Sequence, residues 1–266
     1  MLRSLEQILI SGLVIAGILY LLYGAWLYLN QQRMIYYPDF ALPRDDLPTE
    51  RFVIDGETIR VHALNTDKPR AVLYFGGNAE AVGYQAEALT SLLPGQAIYL
   101  VIYRGYGGST GKPREKALYR DAAVIFDALS ERHASIAVIG RSLGGGVATW
   151  LAARRPVEKL LLVTPFDSLE GVAREHFPFY PVSLFMKERY ASIEHAAAIH
   201  VPTLLLIAAD DEIVPASSAR RLEQAFPPGT ARSLVVPHAG HNSISGRPEY
   251  GEALAAFLGA GISVAP

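Results

Sequence analysis

A serine that could act as a nucleophile lies in the stretch Gly140-Arg141-Ser142-Leu143-Gly144, which has the form G-x-S-x-G. The residues that lead into it, 135–140, form a short apolar run rich in β-branched side chains, and residues 147–153 form an apolar segment of helical length. The pattern therefore predicts a strand, a sharp turn that exposes the Ser142 hydroxyl, and a helix whose first N–H groups face a developing oxyanion. A glycine-rich turn with a helix-capping serine is the alternative interpretation.

Two of the seven histidines follow a predicted strand and are candidates for the general base that a serine nucleophile needs. They are His238 and His241, and the strand before them is predicted at 233–236. Catalytic side chains collect in the loops at the carboxyl ends of parallel strands. Gly240 leaves room for the next side chain to turn inward, so we favour His241, with His238 as the alternative.

An acid that orients the histidine is expected between the serine and the histidine in chain order. Asp210, Asp211 and Glu212 satisfy this order, because they follow a buried strand predicted at 204–208. Spacing alone does not choose among the three, and any one of them could belong to a solvated acidic turn. A serine, an acid and a histidine that each follow a strand in this order nevertheless indicate, as a set, nucleophilic acyl transfer.

Two backbone N–H groups are expected to form an oxyanion hole beside the serine. One belongs to Leu143, the residue after the serine. The other comes from the loop Gly76-Gly77-Asn78, which follows a strand predicted at 71–75 and whose glycines let the backbone approach a substrate closely. We assign this second donor to the main chain of Asn78.

Composition excludes several classes of function. Half of the 266 residues are hydrophobic and the net charge is -2, which gives no reason to expect nucleic acid as a partner. No cysteine is present, so disulfides, cysteine-ligated metals and thiol nucleophiles are excluded. The glycine-rich stretch 103–111 lacks the pattern G-x-G-x-x-G, and no metal-ligand spacing occurs. We predict no cofactor and no metal, and the sequence leaves the oligomeric state open.

An uncharged segment at 8–29 is long enough to cross the hydrocarbon core of a bilayer as a helix. Aromatic residues crowd its C-terminal half, as is typical of a membrane interface. We predict a single-pass anchor over residues 1–32 and a proline-containing linker at 33–50, with a cleaved signal peptide or a buried core helix as alternatives. The flanking basic residues hardly distinguish the two orientations, and we favour an extracytoplasmic position for the rest of the chain.

Strands and helices alternate over residues 51–266 after a predicted β-hairpin. The strands are nearly continuous apolar runs, which predicts an α/β fold with a mostly parallel sheet covered by helices on both faces. The segment 166–200 interrupts this alternation with six aromatic residues and two prolines. We predict that it forms a cap over the active-site end of the sheet, and an ordinary crossover helix with an aromatic core face is the alternative.

Seven short motifs are distributed over almost all of the chain after the anchor: Met34-Ile35-Tyr36-Tyr37-Pro38, Tyr74-Phe75-Gly76-Gly77-Asn78-Ala79, Tyr103-Arg104-Gly105-Tyr106-Gly107, Gly140-Arg141-Ser142-Leu143-Gly144, Val201-Pro202-Thr203-Leu204, Asp211-Glu212-Ile213-Val214-Pro215 and Gly240-His241-Asn242. Taken together, these motifs resemble the α/β-hydrolase superfamily, and more narrowly its membrane-anchored Bem46-like group, relatives of the ABHD13-type hydrolases. One departure occurs, since the family usually has His-Gly-Asn where this chain has Gly76-Gly77-Asn78.

The resemblance implies an α/β-hydrolase fold, a catalytic triad of Ser142, Asp211 and His241, and an oxyanion hole formed by Asn78 and Leu143. It selects Asp211 because the family's acid lies three residues before the valine of its D-x-x-V-P pattern. We expect a membrane-anchored serine hydrolase of carboxylic esters or thioesters with lipid-like acyl groups, because the anchor holds the site near the bilayer. A serine peptidase with the same triad and a catalytically idle scaffold are the alternatives.

Overall fold

The architecture rests on an eight-stranded sheet in a computed structural model that describes residues 2–259. Across the sheet the strands follow the order β1-β2-β4-β3-β5-β6-β7-β8; β2 is antiparallel to both neighbours and the other pairings are parallel. In chain order the strands are β1 (Thr49–Ile54), β2 (Glu57–Leu64), β3 (Arg70–Phe75), β4 (Ala97–Ile102), β5 (Ser135–Arg141), β6 (Leu160–Val163), β7 (Thr203–Ala208) and β8 (Ala231–Val236).

Helices connect the strands and cover the sheet. Every residue of β4, β6 and β7 is buried, as expected for parallel strands that are covered on both faces. The helices are α1 (Leu2–Ile35), α2 (Ala86–Leu92), α3 (Glu115–Ser130), α4 (Leu143–Ala152), α5 (Leu169–His176), α6 (Val182–Phe185), α7 (Ser192–Ala196), α8 (Ala216–Ala225) and α9 (Pro248–Leu254), with short 3-10 turns at Pro38–Phe40, Val82–Gln85 and Ile244–Gly246 and a π turn at Ala255–Gly259.

The mostly parallel α/β fold predicted from the sequence is confirmed, and its element boundaries differ in detail. The hairpin turns at Asp55-Gly56, where both residues have positive φ. The helical segment after β3 begins with a 3-10 turn at Val82–Gln85 and becomes α-helical only at Ala86. The segment 166–200 holds three short helices, α5, α6 and α7, in place of a single crossover helix.

The first helix, α1, is longer than predicted and is attached to the rest of the protein. It continues to Ile35, so the boundary expected at residue 33 falls inside its last turn. Ile35, Tyr36 and Ala41 are buried in the main core, so the segment after the helix packs on the rest of the protein. Most of α1 is exposed, with Leu13 at 73%, and it is long and apolar enough to cross a membrane.

Sheet register decides where the functional loops meet. Strand β5 pairs with β3 on one side, Gly140 opposite Phe75, and with β6 on the other, Gly140 opposite Leu162. Strands β7 and β8 run in the same direction. The loops that follow β3, β5, β7 and β8 therefore open at one edge of the sheet, as ligand-binding loops do in parallel sheets.

Candidate active site

The turn between β5 and α4 holds Ser142 in a strained backbone conformation with φ 49° and ψ −116°. This region is sparsely populated for residues with a side chain, so the surrounding packing must impose it. A Cβ atom at Gly140 would lie 2.5 Å from the Gly144 carbonyl oxygen and 2.6 Å from Ala148 Cβ, and one at Gly144 would collide with the backbone of Phe75. Both glycines are therefore required where the strand and the helix cross.

His241 lies in the loop after β8 and is almost fully buried, with 4% of the residue exposed. Its Nε2 is 2.9 Å from Ser142 Oγ, and its Nδ1 is 2.9 Å from Asp211 Oδ2 and 3.0 Å from Asp211 Oδ1. The structure therefore brings the predicted serine, histidine and acid into one hydrogen-bonded series. With Nδ1 donating to the carboxylate, Nε2 is free to accept the serine proton.

The carboxylate of Asp211 is oriented by the backbone of its own loop. Its Oδ1 accepts the N–H groups of Ile213 at 2.9 Å and Val214 at 2.8 Å, and its side chain is only 3% exposed. Asp210 and Glu212 are exposed to solvent. Geometry and burial thus separate the three neighbouring acids, which the sequence pattern left equivalent.

Two side chains considered for the site lie outside the hydrogen-bonded series. His238, the alternative base, is exposed, has φ 53°, and uses its carbonyl oxygen to accept a hydrogen bond from the guanidinium of Arg247. Glu212 accepts the backbone N–H of His241 at 3.3 Å, so it supports the histidine loop without contacting the imidazole. A Cβ atom at Gly240 would meet the Glu212 carboxylate at 2.8 Å, which accounts for a glycine before the histidine.

The two predicted oxyanion donors follow β5 and β3, which are adjacent in the sheet. Leu143 begins α4, and neither its N–H nor that of Asn78 is paired with an acceptor within residues 2–259. The N–H of Gly77, by contrast, is taken by a Glu80 oxygen at 2.7 Å. The Asn78 carbonyl accepts the N–H of Tyr37 at 3.1 Å, which fixes this peptide against the segment after α1.

A partly buried ion pair that sequence reasoning missed joins the loops around Ser142. Arg141 Nη1 lies 3.0 Å from Glu80 Oε2, and Arg141 Nη2 donates to the Asn242 side chain at 3.1 Å. The same Glu80 carboxylate also accepts hydrogen bonds from Gly77 N–H, the Tyr74 hydroxyl and the Gln85 amide. The pair therefore connects the loop after β3 to the end of β5 and to the histidine loop.

Glu80 also explains why the chain has Gly76 where the family resemblance predicts a histidine. A Cβ atom at Gly76 would lie 2.5 Å from Val82 Cγ1 and 3.1 Å from Glu80 Oε2. The space beside the loop is thus already occupied by two side chains that follow it. In this chain the Glu80 carboxylate, held by four donors, sets the conformation of the Gly76-Gly77-Asn78 loop.

The charges of this ion pair are reinforced by their surroundings. Burial opposes the charge on Arg141, but the neighbouring Glu80 carboxylate favours it, and the pKa of Arg141 lies above its ordinary value. Burial, and then the Glu80 charge, raise the pKa of Tyr74 well above its ordinary value. The Tyr74 hydroxyl consequently stays protonated and donates to Glu80 at 2.8 Å.

Within residues 2–259 no group of three or more His, Asp and Glu side chains could hold a metal ion.

We expect Glu80→Ala to lower the kcat for a soluble ester by on the order of 10²-fold with little change in KM, because a displaced loop would misplace the predicted oxyanion donor, Asn78. The matched control is Glu87→Ala, which removes an exposed carboxylate close by. Glu80→Gln keeps one acceptor for Gly77 and should recover part of the loss. Equal kcat in the Glu80→Ala and control variants would contradict a positioning role.

Comparisons with known proteins agree with this architecture. A family model described as alpha/beta hydrolase fold matches residues 70–181. An uncharacterized protein of Mycobacterium tuberculosis is 36% identical over 256 residues, which cover 90% of this chain and 89% of that protein. Protein bem46 of Schizosaccharomyces pombe is 30% identical over 71% of this chain and 73% of its own length.

Two further proteins resemble the chain. Lysophosphatidylserine lipase ABHD12 of Macaca fascicularis is 32% identical over 71% of this chain and 55% of its own length. The Pyrococcus furiosus esterase Pf2001 superposes with a TM-score of 0.62 over 84% of this chain and 93% of its own, at 18% identity. The chain belongs to the α/β-hydrolase superfamily. Within that superfamily it is a member of the Bem46-like group, whose relatives include an enzyme named as a lipase.

Proposed function

We propose that this protein is a serine hydrolase of carboxylic esters or thioesters with lipid-like acyl groups. The single observation that carries the proposal is the hydrogen-bonded series from Ser142 through His241 to Asp211, built on a strained strand-to-helix turn. Membership of a superfamily with esterase and lipase relatives supports the reaction class.

In the proposed mechanism, Ser142 Oγ attacks the acyl carbonyl carbon while His241 Nε2 takes the hydroxyl proton. The N–H groups of Leu143 and Asn78 donate to the oxyanion of the tetrahedral intermediate. The intermediate collapses to an acyl-serine as His241 returns the proton to the departing alkoxide or thiolate. Water then attacks the acyl-serine, again giving its proton to His241, and the carboxylic acid leaves with Ser142 restored.

We further propose that α1 is a single-pass membrane anchor, that the segment to residue 50 joins it to the domain, and that 166–200 caps the site. The length and apolar character of α1 support the anchor, as does likeness to a Saccharomyces cerevisiae protein named as a membrane protein. The lysophosphatidylserine lipase among the relatives favours lipid esters over peptides. An extracytoplasmic domain stays a prediction, because the flanking charges are nearly symmetric.

The test compares full-length protein with a variant that lacks residues 1–32, on a short soluble ester, a vesicle-borne long-chain ester, a thioester and a peptide. We expect the full-length protein to pellet with membranes, to react with a fluorophosphonate probe and to cleave both esters. Truncation should spare the soluble ester and reduce activity on the vesicle-borne ester, because the anchor keeps enzyme and substrate on one surface. Cleavage of the peptide alone would favour a peptidase, and absence of labelling would favour an idle scaffold.

A further inference from the structure

An apolar groove of about 880 Å³ separates the C-terminal half of α1 from the cap helices α5 and α6. Leu21 and Ala25 contribute to the α1 wall, and Ala173, Phe177 and Val182 contribute to the cap wall. Among the described residues that line it, none is Asp, Glu, Lys or Arg. Its volume lies in the range of roughly 300–1,000 Å³ that is typical of small-molecule sites. Its composition suits a hydrocarbon chain and not a charged ligand.

Both walls of the groove are connected to the loops of the candidate active site. On the α1 wall, the Ile35 carbonyl accepts the side-chain amide of Asn78 at 2.8 Å, so this end of the groove adjoins the oxyanion loop. On the cap wall, His176 Nε2 lies 3.1 Å from the carbonyl oxygen of Ile213, whose own N–H donates to Asp211. One lining residue on each wall, Ile35 and His176, therefore contacts the oxyanion loop and the acid loop, respectively.

The outer end of the groove lies beside the apolar part of α1. The Tyr20 hydroxyl donates to the Phe179 carbonyl at 2.7 Å, and the rings of Tyr20 and Tyr180 stack with centroids 4.6 Å apart. Tyr20 lies nine residues before Leu29, which corresponds to about 14 Å along a helix. If α1 crosses the bilayer, the cap reaches to acyl-chain depth, which explains why Phe179 is 85% exposed.

We propose that this groove takes the acyl chain of a single-chain lipid ester directly from the bilayer and guides its carbonyl group to Ser142. The inference rests on the proposed function, which it deepens by naming the route and the class of substrate. The occupant is a lipid chain and not a second copy of α1, because no charged side chain lines the described groove and Ile35, at its inner end, is hydrogen-bonded to the oxyanion loop. A hydrocarbon chain lying along the groove would have its carbonyl end beside that loop, whereas a second helix would cover only the outer end.

The test uses full-length protein in phosphatidylcholine vesicles and two substrates, p-nitrophenyl palmitate in the vesicles and soluble p-nitrophenyl butyrate. Ala25→Trp and Ala173→Trp fill the groove from its two walls, and Ala16→Trp makes the same change on α1 outside it. We expect both groove variants to lower kcat/KM for the palmitate at least about tenfold, since displacing even two methylene groups from an apolar site costs that factor. The butyrate kcat/KM should be unchanged in Ala16→Trp, and in the two groove variants it should fall far less than the palmitate kcat/KM.

Similar palmitate kinetics in the groove and control variants would overturn the proposal. So would a changed oligomeric state in Ala25→Trp with unaltered palmitate kinetics, because the groove would then hold a second copy.

A binding measurement separates failure of the groove from failure of the proposed function. A photoreactive palmitoyl lysophosphatidylcholine in the vesicles should label the cap peptide 169–186 in Ser142→Ala protein, and adding Ala25→Trp should abolish that labelling while Ala16→Trp should not. This result would support the groove as a lipid-binding site even if no ester were cleaved. Equal labelling with Ala25→Trp and Ala16→Trp would exclude the groove as a lipid site, even with esterase activity intact.

Discussion

Replacing Ser142 with alanine is expected to abolish covalent labelling by a fluorophosphonate and to lower kcat for a short-chain ester by on the order of 10⁶-fold. The reason is that the Ser142 hydroxyl, 2.9 Å from His241 Nε2, is the nucleophile of the proposed mechanism. Removing it leaves the oxyanion donors and the binding surface, which by themselves retain roughly 10³–10⁴-fold catalysis over water. Labelling and steady-state ester kinetics are the two measurements.

The matched control for this substitution is Ser91→Ala, which removes an exposed hydroxyl on α2. It should label and turn over like the unaltered protein. A melting curve should show Ser142→Ala folded, because among the described residues the serine hydroxyl is hydrogen-bonded only to the His241 imidazole. Turnover near the original level in folded Ser142→Ala protein would rule out the proposed nucleophile and with it the whole mechanism.

Asp211→Asn should lower kcat by on the order of 10⁴-fold, whereas Asp210→Asn should leave it nearly unchanged. Asp211 Oδ1 accepts two backbone N–H groups, from Ile213 and Val214, so the oxygen of an asparagine would occupy that position. Its amide nitrogen would then replace Oδ2, which at 2.9 Å is the nearer of the two carboxylate oxygens to His241 Nδ1. A donor at this position stabilises the imidazole tautomer with its proton on Nε2, which cannot accept the proton of the serine.

Asp210→Asn is the natural control, because it makes the same chemical change one residue away on an exposed side chain. The kinetics of both variants on a soluble ester, together with their melting temperatures, complete the comparison. An inactive Asp210 variant beside an active Asp211 variant would contradict the observed orientation of the loop. Loss of activity with an unfolded Asp211 variant would show that the carboxylate is required to order the loop, and would contradict a role confined to the histidine.

The sequence by itself was sufficient to predict the α/β fold and to suggest the serine and the histidine of the site. Buried parallel strands require continuous apolar runs, and a nucleophile on a tight strand-to-helix turn requires glycines on both sides. These requirements act over a few neighbouring residues, so they are visible as local patterns. Gly140 and Gly144 illustrate this, since the G-x-S-x-G pattern has glycines at the two positions where an added Cβ atom would collide.

Long-range contacts decided the features that local patterns left open. Spacing could not choose among three adjacent acids, whereas burial and the two backbone N–H groups on its Oδ1 distinguish Asp211 from exposed Asp210. Arg141 occupies a variable position of G-x-S-x-G, and only the fold shows that it pairs with Glu80, 61 residues earlier.

Long-range contacts also decided how the first helix and the cap meet. The two segments are separated by about 150 residues in the chain and yet form one groove. Hydrophobic periodicity shows that a surface must be covered but not which distant segment covers it. Hydrogen bonds and buried charges likewise depend on partners that the folded chain alone brings together. The sequence therefore determined the elements and the kinds of chemical group, and tertiary packing determined which of those groups meet.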